Sequence, residues 1–305
     1  MEKHRKKLIK NAAVFDGHSS GLAQGKKIVI EDDIVTEITA DEVSEENFDE
    51  VFDGTGMVAM PGMTDAHVHM GCLFAKGEFP VDYATVLTVA KCKDALMAGF
   101  TTFRDAGSVS EGLKLAFDEG VLPGPRIYPC GAYISQTCGH GDSEYAHTYR
   151  DIQYRHPSST VLADGVPEII RAVREQFYRG ASHIKLMATE ILNRHEDIRL
   201  LFGTDMMITG PDYQVEQSED IRYYEKRFGT MRALRALTGT ANEVFALTTY
   251  QNPYPKGKIG VLEAGSYADL LLVDGDPTKR VSVLADTDHL RLIMKGGTVY
   301  KNTLC

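Results

Sequence analysis

The chain has 305 residues, 43% of them hydrophobic and 25% charged, which supplies a large core and excludes a disordered chain, a collagen-like repeat and a disulfide-stapled miniprotein. Lys and Arg total 33 against 43 Asp and Glu, for a net charge of -10. So acidic a chain offers nucleic acid no broad basic surface and has little attraction for anionic lipid, so neither nucleic acid nor membrane is expected as a partner.

The N-terminal MEKHRKKLIKNAAVF is basic but lacks the apolar run of a signal peptide. No stretch approaches the ~20 apolar residues of a membrane span, and a soluble cytoplasmic protein is the expectation. Short Ile- and Val-rich runs follow, KKLIKNAAVF and KKIVIEDDIVTEIT, split by the Gly-containing HSSGLAQG. After the acidic, solvated DEVSEENFDE a further strand is expected around Met57–Met60.

From residue 61 to 250 strands alternate with helices. TDAHVHM, FTTFRDAGS, RIYPCGAYIS and SHIKLMA read as strands. VDYATVLTVAKCKDALMAG, SEGLKLAFDEG and VPEIIRAVREQFYRG read as the helices between them. This β-α-β-α-β-α-β order predicts a parallel sheet or a (βα) barrel. The C-terminal KGKIGVLEAG, YADLLLVDGDP and HLRLIMKGGTVYKN again read as strands. Residues 1–60 and 251–305 are therefore expected to build one small β domain around a catalytic domain of residues 61–250. The five cysteines, Cys72, Cys92, Cys130, Cys138 and Cys305, are scattered without a CxxC pair and read as reduced thiols.

Several residue types carry chemistry. On a strand, Asp65, His67 and His69 are expected to project together, and imidazoles two apart can reach one metal ion. They stand at the C-terminal end of the first strand of a βα series, where barrel active sites form. Lys185 lies in the apolar strand ASHIKLMA, where an amine is costly unless it is paired, neutral or modified. One reading is a snorkelling end; the other is a neutral amine that has taken up CO2, giving a carbamate able to bridge two metal ions. His183, two residues earlier, reads as an interior filler. Asp205 ends LLFGTD, where a carboxylate can ligate metal or take a proton, or simply cap a helix. His140 stands between Gly139 and Gly141 in GHGD, which reads equally as a ligand-facing loop or a plain turn.

Taken together, PGMTDAHVHM, TTFRDAG, GHGD, IKLMA, FGTD and GKIGVLEAGSYADLLLVDGDP resemble the amidohydrolase superfamily, nearest its imidazolonepropionase-like and Xaa-Pro dipeptidase-like hydrolases. The resemblance covers nearly the whole chain. It implies an α/β fold, a distorted (βα)8 barrel (TIM-like) with a β-sandwich from both termini. It also implies one or two divalent metals, zinc foremost. His67 and His69 match the first-strand ligands, Lys185 the carboxylated lysine, and Asp205 the last-strand ligand and base. His140 matches a loop histidine that contacts the substrate's acyl part. The implied activity is hydrolysis of an amide bond in a dipeptide-like or N-acyl amino acid substrate, with hydroxide made at the metal centre attacking the carbonyl and Asp205 shuttling the proton. A single-metal deaminase or cyclic-amide hydrolase is the second enzymatic reading. A non-catalytic assembly subunit is the reading of another class.

One departure stands out. From Lys185 to Asp205 is only 20 residues, whereas one βα unit takes roughly 30. Strands five to seven of the family's barrel thus have no counterpart, nor do the histidines of strands five and six that bind the second metal. His195 reads as part of a helix, and Glu190 stands where the family has glycine. An incomplete barrel exposes strand edges, which predicts a homo-oligomer.

Overall fold

The computed structural model describes residues 5–69, 81–107, 111–139, 141–142, 160–187, 199–207 and 213–304. The N-terminal region folds as β1 (Lys6–Lys10), β2 (Ala13–Val14), β3 (Lys27–Glu31), β4 (Ile34–Thr39), β5 (Glu50–Asp53) and β6 (Val58–Pro61). The β-branched run Ile28–Ile30 favours extended backbone. A two-residue turn follows it, in which Asp32 takes left-handed φ (53°), a conformation that Asp tolerates.

The middle begins with β7 (Met63–His69), α1 (Val81–Met97), β8 (Phe100–Asp105), α2 (Glu111–Asp118) and β9 (Arg126–Tyr128). It continues through β10 (Tyr133–Ser135), β11 (Thr160–Leu162), α3 (Val166–Tyr178), β12 (Leu186–Met187) and β13 (Met206–Met207). Three consecutive helices follow, α4 (Tyr213–Phe228), α5 (Thr230–Leu237) and α6 (Gly239–Phe245). The chain ends with β14 (Leu270–Val273), β15 (Leu290–Lys295) and β16 (Thr298–Asn302).

These strands make four sheets. The first, β4-β3-β1-β5, comes wholly from the N-terminal region, whereas β16-β15-β14-β6-β2 joins the two ends of the chain. There Leu270 of β14 lies opposite Pro61 of β6. The β15–β16 hairpin turns on Gly296 and Gly297, both at positive φ (54° and 69°), as a two-residue turn matched to strand twist requires. The run Leu270–Val273 is buried throughout because both faces of this sheet are covered. Leu270 and Leu272 share a cluster with Ile9, Ile28, Ile30 and Phe52 of the first sheet. Leu271 and Val273 face the other way, into the cluster of Phe100, Phe103, Phe117, Phe202 and Leu234.

The other two sheets are parallel, β13-β7-β8-β9 and β11-β10-β12. The α/β class expected from sequence is present, but among the described residues the parallel strands form two separate sheets and neither closes into a barrel. Expected RIYPCGAYIS is two strands rather than one: Pro129 has no N–H for a ladder, and Gly131 turns at φ 70° to send β10 into the other sheet. Expected KGKIGVLEAG is no strand either. Gly260 and Gly265 turn at φ 79° and 85°, leaving only an isolated bridge from Lys258 to Ser266. LLFGTD likewise stays irregular, and the strand begins one residue after Asp205.

Candidate metal centre

β7 carries two irregularities in its pairing with β8, one of them between Asp65 and Val68. At that bulge Arg104 of β8 donates from Nη1 to the Ala66 carbonyl at 3.3 Å. The bulge separates side chains that strict alternation would have kept together. His67 and His69 turn toward one another, with ring centroids 5.3 Å apart. Asp65, expected beside them, aims elsewhere. Its fully buried carboxylate accepts from Thr204 Oγ1 at 2.8 Å, Thr204 N at 3.2 Å, Gln217 Nε2 at 3.2 Å and His67 N at 3.2 Å. Burial pushes this carboxyl up to about 7 against the pull of those hydrogen bonds.

Asp205 reaches the histidine pair from the segment before β13. Its Oδ1 lies 3.1 Å from His67 Nε2 and 3.3 Å from His69 Nε2. Lys185, just before β12, places Nζ 3.1 Å from the same His67 Nε2. Among the described residues, His67, His69 and Asp205 form a group whose ligand atoms all lie within 4.8 Å of one another. The His67–His69 pair, Lys185 and Asp205, from three separate stretches of the sequence, thus meet around His67 Nε2. His140 lies outside the described residues, as do Glu190 and His195.

The electrostatics suit a cation. Burial, aided by the Lys185 charge, lowers His67 to about 4. His69 is lowered too, by burial and with Asp205 opposing. Both imidazoles are therefore neutral at pH 7, the state in which a ring nitrogen can ligate metal. Two neutral Nε2 atoms and a carboxylate oxygen then converge, and a divalent ion among them would satisfy all three lone pairs. That donor set fits a divalent ion such as zinc. Lys185 is lowered from its ordinary value by burial, against the opposing pull of Asp205. His183, on the same segment, bonds Ser182 Oγ at 3.0 Å and is held down to about 3 by burial and the nearby Arg104 charge.

Sequence reasoning passed over Thr204 and Gln217, the residues that anchor Asp65. Thr204 carried a signal, since it sits inside the FGTD motif; Gln217 lies on a helix with no motif around it. Tyr224, on the same helix, donates to the Leu201 carbonyl at 3.2 Å and packs against Phe202 with centroids 4.8 Å apart. It braces the Asp205 segment from behind.

Residues 58–198 match the amidohydrolase family. Ochratoxinase from Aspergillus niger is 34% identical over 152 residues, covering 43% of this chain and 31% of that protein. The chain thus spans about a third of the length of that curated relative. A crystal structure of an amidohydrolase superposes with a TM-score of 0.83 at 23% identity, covering 98% of this chain and 100% of the other. The structure of a prolidase complexed with N-methylphosphonate-L-proline gives a TM-score of 0.82 at 22% identity, covering 97% and 100% of the two chains. Residues 58–198 are thus similar to an amidohydrolase domain, and the fold of the chain is that of these amidohydrolase and prolidase structures. No helix among the described residues is long and apolar enough to cross a membrane.

Proposed function

We propose that the protein is a metal-dependent hydrolase of amide C–N bonds, acting on dipeptide-like or N-acyl amino acid substrates. The observation that carries this reading is the meeting of His67 Nε2, His69 Nε2 and an Asp205 oxygen within 4.8 Å, with Lys185 Nζ 3.1 Å from His67, in a chain whose residues 58–198 match the amidohydrolase family. His67, His69 and Asp205 would hold a zinc ion, and a carbamate on Lys185 would add an anionic oxygen for it or for a second ion. When bound, the metal lowers the pKa of water and polarises the amide carbonyl.

The chain's own residues supply the rest. The Asp205 side chain is 74% exposed while its Oδ1 faces the pair, so the carboxylate reaches both the centre and the substrate. It takes the proton of the attacking water and returns it to the leaving amine nitrogen. His140 would contact the acyl part. Names of relatives support an amide substrate: one is an ochratoxinase, another a prolidase holding a phosphonate analogue of an N-acyl proline.

The reading extends to architecture. In a closed barrel the last strand lies beside the first, and β13 pairs with β7 in parallel. We read residues 61–250 as a (βα)8-type barrel lacking three units, and residues 1–60 with 251–305 as its β-sandwich. Its open edges point to a homo-oligomer, and the compartment we propose is the cytoplasm.

The test is release of free amino acid from a panel of dipeptides and N-acyl amino acids by protein incubated with zinc and bicarbonate. Hydrolysis that stops with chelator and returns with zinc is the expected result; no hydrolysis across the panel defeats the reading. Ammonia release instead would favour a deaminase working with one ion, for which the His67, His69 and Asp205 set suffices. The carbamate has its own test. Lys185→Ala should lose more than about 100-fold in turnover, and acetate, a carboxylate small enough for the vacated space, should restore part of it. Lys185→Ala at wild-type turnover would remove the carbamate from the account.

A further inference from the structure

The segment bearing Asp205 docks on β7 by backbone contacts on either side of His67. The Ala66 N–H donates to the Phe202 carbonyl at 2.8 Å, and the Asp205 N–H to the His67 carbonyl at 2.8 Å. Between them the chain comes so close that a Cβ on Gly203 would lie 2.8 Å from His67 Cβ, so this position excludes a side chain. The chain then reverses at Asp205, whose φ of 55° is left-handed. An L-residue adopts that conformation at a cost that surrounding contacts must offset.

The contacts that offset it converge on Asp65. One carboxylate oxygen accepts from His67 N and Thr204 N, both at 3.2 Å. The other accepts from Thr204 Oγ1 at 2.8 Å and Gln217 Nε2 at 3.2 Å. The same side chain therefore grips the residue before Asp205, the backbone of His67, and helix α4. All four partners are donors, so a carboxylate satisfies them together, whereas an amide presents one of them with another donor. Burial without exposure makes such a mismatch costly.

We propose that Asp65 is a positioning residue: by holding Thr204 and the His67 backbone in one grip, it keeps Asp205 in left-handed backbone and so sets its carboxylate against the His67–His69 pair. This rests on the metal-dependent reading above. It accounts for how the three-residue set survives without the strands that separate Lys185 from Asp205 in the superfamily barrel, because the grip runs directly between β7, the Asp205 segment and α4.

The experiment compares wild type with Asp65→Asn, and Thr204→Val with Thr204→Ser. Zinc affinity is measured by chelator competition, and coordination geometry by the visible absorption of the cobalt(II)-loaded protein. Asp65→Asn should bind zinc 10- to 100-fold more weakly, the range for residues that orient ligands from behind. Its cobalt band should shift, and kcat should fall while KM stays within about threefold. A variant that merely loosened the fold would lower thermal stability and leave the cobalt band of its folded fraction unchanged. If Asp65→Asn does not fold, Thr204→Val should show the same weaker zinc and altered band, with Thr204→Ser restoring both. Zinc affinity and cobalt band equal to wild type in the folded variants would overturn the assignment while leaving the hydrolase reading intact. Wild-type protein that binds neither zinc nor cobalt would defeat that reading itself, and this assignment with it.

Discussion

Replacing both His67 and His69 with alanine is expected to reduce hydrolysis by more than about 100-fold, beyond what loss of an outer orienting partner costs. The two Nε2 atoms are the neutral donors of the set, and each faces the same Asp205 oxygen, at 3.1 and 3.3 Å. Without them only the Asp205 carboxylate and a Lys185 carbamate would remain to hold the ion. The fold should tolerate the change, because the segment carrying Asp205 is tied to β7 by backbone hydrogen bonds from Ala66 and Asp205 that the substitution keeps. Thermal stability and turnover measured on one preparation separate the two effects. Turnover within threefold of wild type would show that the catalytic centre lies elsewhere.

The largest effect on stability is expected at Asp269. Its carboxylate takes a two-pronged bond from Arg126, 2.7 Å from Nε and 3.1 Å from Nη2, and accepts the Gly296 N–H at 2.6 Å. The Arg126 guanidinium also lies 3.9 Å from the centre of the Tyr267 ring. This pair joins β9 of the parallel sheet to the strands from the C-terminus, with side chains only 11% and 3% exposed. Asp269→Ala would leave a guanidinium buried and unpaired, a loss of about 3–5 kcal/mol. A urea titration should register that loss, and the melting midpoint should fall by roughly 10 °C. Arg126→Met combined with Asp269→Leu should recover most of it, since removing both charges removes the unpaired state. Asp269→Ala within 1 kcal/mol of wild type would mean that water reaches the site and solvates Arg126, contrary to its burial.

Sequence made the site legible where residue type and spacing coincide with chemistry. His67 and His69 are two apart on a strand, Lys185 is an amine in an apolar run, and Asp205 closes an apolar run; the structure brings all four together. Alternation misdirected Asp65, because a bulge is set by pairing between strands and leaves no mark in local spacing. The same holds for Gln217, whose role depends on where α4 lands. The β-rich ends were readable from their Ile- and Val-rich runs, but HLRLIMKGGTVYKN, read as one strand, folds as the β15–β16 hairpin turning on Gly296 and Gly297. What failed were segments whose apolar run is punctuated by glycine or proline, KGKIGVLEAG and RIYPCGAYIS, where φ at Gly131, Gly260 and Gly265 overrides strand propensity. The Arg126–Asp269 pair joins residues 143 apart, and no local pattern announces it.

The central claim, that His67, His69 and Asp205 hold a divalent metal, is tested most directly by metal content per chain, measured by mass spectrometry after incubation with zinc and bicarbonate and removal of free ions. At least one ion per chain, lost in His67→Ala/His69→Ala, is the result this account expects. No bound metal in wild-type protein so treated would contradict it.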